Sequence, residues 1–158
     1  MNVLPLLEKS GLIKQGDIAL IEARARKEGI SIEAALVKQG IALDDILRIE
    51  GEHYRLPVRT LPPGPVGHAG LEHIPEESAR HYKIAPVGLE GGALEVGIID
   101  PENIEALDAL QFISTRVGLP YKLFIISETD FNRVLDEYKN LTGEVGEALS
   151  EFETSLDD

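Results

Sequence analysis

The chain of 158 residues contains no cysteine, has 43% hydrophobic residues and carries a formal net charge of −13. Without cysteine it has no disulfide, thiolate metal site or cysteine nucleophile, and its acidity argues against nucleic-acid binding, which needs clustered lysine and arginine. No apolar run approaches the roughly 20 residues of a membrane span, and the first residues show no export signal. The sequence therefore predicts a cytoplasmic protein that does not insert into the membrane.

The charge is distributed unevenly along the chain. Residues 1–60 carry nine basic and nine acidic side chains, residues 61–142 carry six and thirteen, and residues 143–158 carry none and six. The run LPPGPVGHAG at 61–70 holds three prolines and three glycines, which neither a helix nor a central strand accommodates. We predict four parts: a helical sub-domain (1–60), a Pro/Gly-rich linker (61–74), an α/β sub-domain (75–142) and an acidic tail or interdomain linker (143–158).

The first sub-domain is predicted to be helical throughout. Apolar residues recur at helical spacing, and Gly11, Gly29 and Gly40 are placed to end successive helices. Ser31 is the expected N-cap of the third helix. The predicted helices cover residues 4–9, 15–28, 32–39 and 44–54.

The densest basic spot of the chain is formed by Arg24, Arg26 and Lys27. These residues fall in the last turns of the second predicted helix, where cations suit the helix dipole. We therefore interpret them as the solvated end of a helix rather than a binding site.

The helical region also contains a weak internal repeat. The segments LEKSGLI (7–13) and LVKQGIA (36–42) superpose with an offset of 29 residues, which pairs Leu7 with Leu36 and Gly11 with Gly40. One reading is a repeated helix–turn–helix unit. The other is that any two Leu-x-x-x-Gly helix ends look alike, and periodicity leaves both open.

The second sub-domain opens with a helix at about 75–82 and then a hairpin. Apolar runs at 84–89 and 93–99 flank Gly91-Gly92, a pair that favours a two-residue turn because both residues accept positive φ. Asp100-Pro101 follows, and we predict that it caps and starts an amphipathic helix that ends at Gly118.

The last predicted elements are a third strand, 121–126, and a strongly periodic helix. Ser127 and Asp130 have the spacing of a capping box, and apolar residues follow at i, i+3, i+4 and i+7. The acidic residues 143–158 are expected to be at most transiently helical.

No catalytic or metal-binding pattern emerges. The sequence contains no G-x-x-x-x-G-K-[ST], so no P-loop and no nucleotide hydrolysis are expected. The four histidines form no H-x-x-x-H pair, and Glu77 with His81 is interpreted as a solvated surface pair. The serines lack a nucleophile context. We predict a protein that is not an enzyme and holds no metal.

The order of motifs resembles a known family. The segment IPEESARHY (74–82), then the Gly-Gly turn, then DPENIEALDALQF (100–112) are together similar to the N-terminal domain of the type II secretion and type IV pilus assembly ATPases, over about residues 4–142. The resemblance implies a domain that precedes a hexameric motor in the full-length protein. In secretion ATPases this domain docks on the cytoplasmic part of an inner-membrane platform protein.

The resemblance also implies a possible ligand. A subset of the pilus ATPases binds cyclic di-GMP through two tandem copies of R-L-G-x-x-L-V-x-x-G-x-I, each continuing to L-x-x-x-L-x-x-Q, and the 29-residue offset matches this arrangement. The matching positions, which would bind the dinucleotide if it binds here, are Leu7, Gly11, Ile13, Leu36, Val37 and Gly40.

Several positions depart from that motif. The Arg positions hold Asn2 and Ser31, which cannot replace a guanidinium on phosphate. The Gly positions hold Leu4 and Glu33. The two Gln positions hold Ala25 and Tyr54. We therefore hypothesise that the dinucleotide site has degenerated.

The sequence thus predicts an α+β fold, with an N-terminal helical sub-domain followed by a small three-stranded, mostly antiparallel sheet carrying helices. The predicted function is non-catalytic docking and regulation, with a platform protein or the motor domain as partner and a cytoplasmic location peripheral to the inner membrane. The alternative is a cyclic di-GMP sensor that controls the ATPase. Otherwise no cofactor is expected.

Overall fold

The structure, a computed structural model, describes residues 3–63 and 70–139. Within these residues the chain forms seven helices and three strands, and α7 occupies residues 128–139. The other bounds are α1 Leu4–Ser10, α2 Gln15–Glu28, α3 Ile32–Lys38, α4 Leu43–Tyr54, α5 Glu76–Tyr82, β1 Ile84–Glu90, β2 Ala93–Ile98, α6 Ile104–Val117 and β3 Tyr121–Ile125. The α+β class and the three strands are confirmed.

Helices α1 to α4 pack around one apolar core. The predicted helix ends are confirmed at Gly11 and Gly29, which adopt φ of 87° and 67° as C-caps. The hydroxyl of Ser31 accepts a hydrogen bond from the backbone N–H of Ala34 at 3.0 Å, as predicted for the N-cap of α3. The largest fully buried side chains of this core are Leu4, Leu7, Ile21, Leu36 and Ile46.

The Gly-Gly turn joins β1 and β2 as predicted. Gly91 and Gly92 have φ of 58° and 76°, and Glu90 pairs directly with Ala93. The turn requires a left-handed backbone at both positions, which residues with a Cβ rarely adopt, so it depends on glycine. The pairing of β1 with β2 is antiparallel, with a register shift between Pro86 and Gly88.

The sheet is mixed rather than mostly antiparallel. Strand order is β1-β2-β3, and β2 pairs with β3 in parallel. The physical reason is that α6 lies between β2 and β3 in sequence, and such a crossover returns the chain to the same end of the sheet. Helix α6 buries Ala106, Leu110 and Ile113 against the sheet core, so its predicted apolar face is confirmed.

The start of α6 was predicted wrongly. Asp100 does not cap the helix: its carboxylate accepts from the N–H of Glu102 at 2.9 Å, which forms a turn. The N-cap is Asn103, whose side chain accepts from Ala106 N–H at 3.3 Å. Pro101 therefore belongs to the turn, and the helix begins three residues later, at Ile104.

The last residues of the predicted helical sub-domain pair with the sheet. Ile125 donates to the carbonyl of Pro57 at 2.8 Å, and Arg59 donates to the carbonyl of Ile125 at 2.9 Å, so Val58 forms a parallel bridge to β3. Leu61 is buried in the sheet core. Sequence reasoning missed this pairing because a single bridge leaves no periodic pattern.

Helix α7 has half of its predicted capping box. The Ser127 hydroxyl accepts from Asp130 N–H at 3.1 Å, but the Asp130 carboxylate accepts from Leu61 N–H at 3.0 Å and from Arg133 at 3.1 Å. The predicted apolar face of α7 is buried as expected. Its members are Phe131, Val134, Leu135 and Tyr138.

The buried residues of the described ranges form two clusters. One lies within α1–α4, and the other comprises the sheet with α5, α6 and α7. We refer to these parts as the helical and sheet sub-domains, and the four predicted domain bounds remain predictions. The acidic tail, 143–158, lies outside the described residues.

Candidate functional site

The six positions named for a cyclic dinucleotide do not form a polar surface. Leu7, Ile13 and Leu36 are buried in the core of the helical sub-domain. Gly11 and Gly40 have positive φ at helix ends. Val37 is 46% exposed. The other five positions therefore have a structural explanation without a ligand, and the exposed Val37 has none.

A cavity of about 600 Å³ lies between the end of α2 and the start of α3. Three of its lining residues occupy motif positions that depart from the cyclic di-GMP pattern: Leu4 (Gly), Ala25 (Gln) and Ser31 (Arg). The fold therefore brings positions from both copies of the repeat to one cavity. The complete lining is Leu4, Glu22, Ala25, Arg26, Gly29, Ile30, Ser31 and Ile32.

The charges of this cavity are balanced. Arg26 supplies one cation and Glu22 one carboxylate, and the Ser31 oxygen already caps α3. A cyclic dinucleotide carries two phosphates, which call for more than one charge-assisted donor. The lining suits a ligand with little negative charge better than it suits a dianion.

A second concave surface lies between α5 and α6. It has a volume of about 540 Å³, and its lining includes Pro75, Tyr82, Phe112 and Arg116. Phe112 of α6 is 67% exposed, and Ile104, the first residue of α6, is 71% exposed. We call this surface the α5–α6 groove.

The sequence of α6 explains why Phe112 faces solvent. Ala106, Leu110 and Ile113 form the buried face, whereas Ile104 and Phe112 lie eight residues apart, close to two helical turns plus one residue. A large aromatic side chain on the solvent side contributes little to the core, and exposed apolar groups beside a groove are typical of interaction sites.

The two sub-domains meet at a joint lined by carboxylates. Glu33 of α3 accepts a hydrogen bond from the backbone N–H of Glu128, the first residue of α7, at 2.9 Å. Tyr54, at the end of α4, lies close enough to Glu102 in the β2–α6 loop for that carboxylate to raise the pKa of the tyrosine. The backbone of α4 approaches closely at Gly51, where an added Cβ would lie 2.9 Å from Val58.

Burial and neighbouring charges raise the pKa values of three side chains at the joint. Burial, then the charges of Glu33, Glu128 and Asp100, raise the pKa of Glu50 to about 8. Burial also raises the pKa of Glu33, although the hydrogen bond from Glu128 opposes this. Burial and the acids of the β2–α6 loop raise the pKa of Tyr54 to about 12.

An ion pair covers the second face of the sheet. The Arg59 guanidinium contacts Glu95 of β2 at 2.8 and 3.4 Å and lies over the Phe124 ring at 4.1 Å. Glu95 is nearly fully buried, and its carboxylate is paired with Arg59. This pair fixes the segment after α4 to the sheet.

The structure also places the groups that were considered for chemistry. Glu77 and His81 are both located on α5, near the solvent. Within residues 3–63 and 70–139, no group of three His, Cys, Asp or Glu side chains is arranged to hold a metal ion. No helix in these ranges has the length and apolarity that crossing a membrane requires.

Sequence reasoning missed the joint and the groove. One signal existed for Glu50: it lies four residues after Ile46 and three after Leu47, which places it on the apolar face of α4. No comparable signal existed for Glu33, whose partner is 95 residues away.

A helical unit joined to a small mixed sheet, without a nucleotide-hydrolysis motif, has the architecture of the non-motor domain carried by pilus and secretion ATPases. A family model confirms this: the chain belongs to the MshEN domain family, whose model matches residues 54–145, more than half of the chain. The match begins at the last residue of α4. The assignment therefore rests on the sheet sub-domain and not on the repeat.

Individual relatives agree with this family. The type IV pilus assembly ATPase PilB of Myxococcus xanthus is 26% identical over 153 residues, which is 91% of this chain and 26% of PilB. The chain thus spans about a quarter of that relative. MshE, solved with cdg (cyclic di-GMP), is 20% identical with a TM-score of 0.61, over 87% of this chain and 99% of that one. The N-terminal domain of XpsE is 21% identical with a TM-score of 0.52, and the match covers 85% of this chain and 91% of the XpsE domain. These two structures are similar in fold.

Proposed function

We propose that this chain is a non-catalytic docking and regulatory module of a secretion or type IV pilus ATPase. It attaches the motor to the cytoplasmic domain of an inner-membrane platform protein, and it is cytoplasmic and peripheral to the membrane through that partner. The observation that carries this proposal is the α5–α6 groove, which exposes an aromatic side chain on the sub-domain that the family model matches.

Charge indicates what occupies the groove. Residues 70–139, the described part of the sheet sub-domain, carry thirteen acidic and six basic side chains. Glu105 and Asp108 line the groove, and Arg116, on the same helix, is the one cation in its lining. The partner segment is therefore an amphipathic helix with apolar anchors and lysine or arginine beside them, since complementary charge aligns such a helix on an acidic groove.

The test is titration calorimetry of the chain against the cytoplasmic domain of the platform protein from the same organism. Phe112→Asp places a charge in the groove and should weaken binding by at least tenfold, because buried aromatic anchors dominate such interfaces. Leu20→Asp is the matched control: Leu20 is 63% exposed on α2 of the other sub-domain. No binding by the unmodified chain, or equal loss in both variants, would refute docking through this groove.

A second candidate function, a cyclic di-GMP sensor, is favoured by the α2–α3 cavity, which gathers positions from both copies of the repeat. MshE, similar in fold, was solved with this ligand. The balanced charges of the cavity argue against it. Calorimetry with cyclic di-GMP tests this function. Micromolar binding that is lost in Arg26→Ala would support the sensor function. The absence of binding heat at high micromolar cyclic di-GMP would refute it.

A further inference from the structure

The lining of the α5–α6 groove follows both of its helices. On α6 the lining residues recur at i, i+3, i+4, i+7, i+8 and i+11, which is one stripe along nearly the whole helix. The other wall consists of Pro75, Ser78 and Tyr82 of α5 and its N-cap, and it carries no charge. Glu105 and Arg116, the two ends of the stripe, are about 16 Å apart along the axis of α6. The groove can therefore hold about three turns of a bound helix.

The charges of the groove are sorted along α6. Glu105 and Asp108 are exposed in the first half of the helix, and Arg116 is exposed in its last turn. Asp108, Phe112 and Arg116 follow one another at intervals of four residues, so the aromatic residue lies between an acid and a cation on one row of the helix surface. An acidic end and a basic end give the groove a direction.

These charges have no partner among residues 3–63 and 70–139. Glu105, Asp108 and Arg116 form no salt bridge and no side-chain hydrogen bond there. On neighbouring α5, by contrast, Arg80 pairs with Glu76 at 3.3 Å across one turn. The acids of α6 precede its cation in the groove by two turns or more, which is too far for such a pair. All three charges are thus available to a bound segment.

A bound helix has charge preferences of its own. Acidic residues stabilise the first turn of a helix and basic residues its last turn, because of the helix dipole. If such a helix runs antiparallel to α6, its first turn meets Arg116 and its last turn meets Glu105 and Asp108. If it runs parallel to α6, like charges face each other at both ends and repel.

We propose that the α5–α6 groove selects the charge order and the direction of the helix that it binds. The bound segment is an amphipathic helix of about three turns that runs antiparallel to α6. Its acidic first turn faces Arg116, its apolar anchors contact Tyr82 and Phe112, and its basic last turn faces Glu105 and Asp108. This inference rests on the proposed function, since it describes the segment through which the platform domain docks.

Two synthetic peptides of identical composition test the direction. Both carry leucine anchors at i, i+4 and i+7. The forward peptide has two glutamates in its first turn and two lysines in its last turn, and the reversed peptide exchanges them. Because the chain lacks cysteine, a nitroxide on a cysteine added to the peptide is the only spin label in the sample. At the N-terminus of the forward peptide it should broaden the amide NMR signal of Gly118 more than that of Glu105, and at the C-terminus it should do the opposite.

The affinities of the two peptides are measured by NMR titration at low ionic strength. The forward peptide should bind the unmodified chain about tenfold more tightly than the reversed one. The triple variant Glu105→Lys, Asp108→Lys, Arg116→Glu should invert this preference, and Arg116→Glu alone should bring the two affinities within about threefold of each other. The helicity of the free peptides cannot cause an inversion, because the same two peptides are compared on each protein.

The matched control reverses three exposed charges of α4, through Asp44→Lys, Arg48→Glu and Glu52→Lys. It changes the net charge by as much as the triple variant does and should keep the preference of the unmodified chain. Circular dichroism verifies that both variants are folded.

Three results would overturn this inference: equal affinity of the chain for the two peptides, no binding of either peptide, or a preference that Arg116→Glu leaves unchanged. Docking of the platform domain through Phe112 would stand in each of these cases. Conversely, a platform domain that does not bind would refute the proposed function and would leave the directional preference of the groove as measured.

Discussion

The Glu33 carboxylate accepts a hydrogen bond from the backbone N–H of Glu128 at 2.9 Å, across 95 residues of sequence. One sub-domain thereby caps a helix of the other. Within α7 itself, the Ser127 hydroxyl accepts from the N–H of Asp130. The start of α7 is thus satisfied from two sources, one local and one distant.

Removing the distant cap should destabilise the chain. We expect Glu33→Ala to lower the free energy of unfolding by about 1–2 kcal/mol, the cost of losing a helix cap and leaving a donor unsatisfied. Urea unfolding followed by circular dichroism measures it. Glu52→Ala is the control, since Glu52 forms an exposed pair with Arg48 at 3.6 Å and should cost less than about 1 kcal/mol. Equal midpoints for both variants would contradict the role of Glu33.

The stability of the chain should fall as pH rises toward 8. In the unfolded chain Glu50 ionises near the ordinary glutamate pKa of 4.5, whereas in the folded chain its pKa is about 8. Between these values the folded form holds a proton that the unfolded form has lost, so the free energy of unfolding decreases by about 1 kcal/mol per pH unit and levels off above pH 8. The raised pKa of Glu33 acts in the same direction.

Urea unfolding at intervals from pH 5 to pH 9 measures this slope. Glu50→Gln should flatten the curve and should be more stable than the unmodified chain at pH 9. If both curves are parallel over the whole range, Glu50 does not control the stability of the joint.

How far the sequence predicts this structure depends on the distance over which each contact acts. Gly91-Gly92 specifies its turn locally, and the apolar spacing of α7 specifies its buried face, so both were predicted correctly. The parallel pairing of β3 follows from the α6 crossover between β2 and β3. The sequence predicted that order of elements, but its consequence for strand direction was missed. The prediction of the α6 start was wrong for another reason. Asp100 and Asn103 are three residues apart and can both cap a helix. Burial of Ala106 and Leu110 accompanies the later start.

The same distinction applies to the candidate sites. The repeat at 7–13 and 36–42 was visible in the sequence, but neither segment lines the cavity. The cavity is lined instead by positions of the longer motif that flank the two segments: Leu4, Ala25 and Ser31. The Glu33–Glu128 contact and the exposure of Phe112 depend on tertiary packing. A charged residue on an apolar face, such as Glu50, is the one sequence signal that could have indicated the joint.

The Arg59–Glu95 pair should be more important than an ordinary surface ion pair. Glu95 is nearly buried and its carboxylate contacts Arg59 through two hydrogen bonds, so Arg59→Ala would leave a buried charge without its partner. We expect a loss of about 3 kcal/mol on thermal or urea unfolding. The double variant Arg59→Met with Glu95→Leu should recover most of this loss, because it removes both charges together. If the double variant is as unstable as Arg59→Ala, the ion pair is not the cause.

Replacing Gly97 is predicted to destabilise the chain for steric reasons. A Cβ at this position in β2 would lie 2.6 to 2.9 Å from three side-chain carbons of Ile126, closer than packed carbons approach. Ile126 is almost fully buried and has little room to move, so Gly97→Ala should destabilise the chain by about 1–3 kcal/mol. Gly16→Ala is the matched control: nothing lies within 4 Å of a Cβ there, and the site is in the first turn of α2, where alanine favours the helix. The urea midpoint should therefore fall for Gly97→Ala and rise for Gly16→Ala. An unchanged midpoint for Gly97→Ala would show that β2 and Ile126 can move apart without loss of stability.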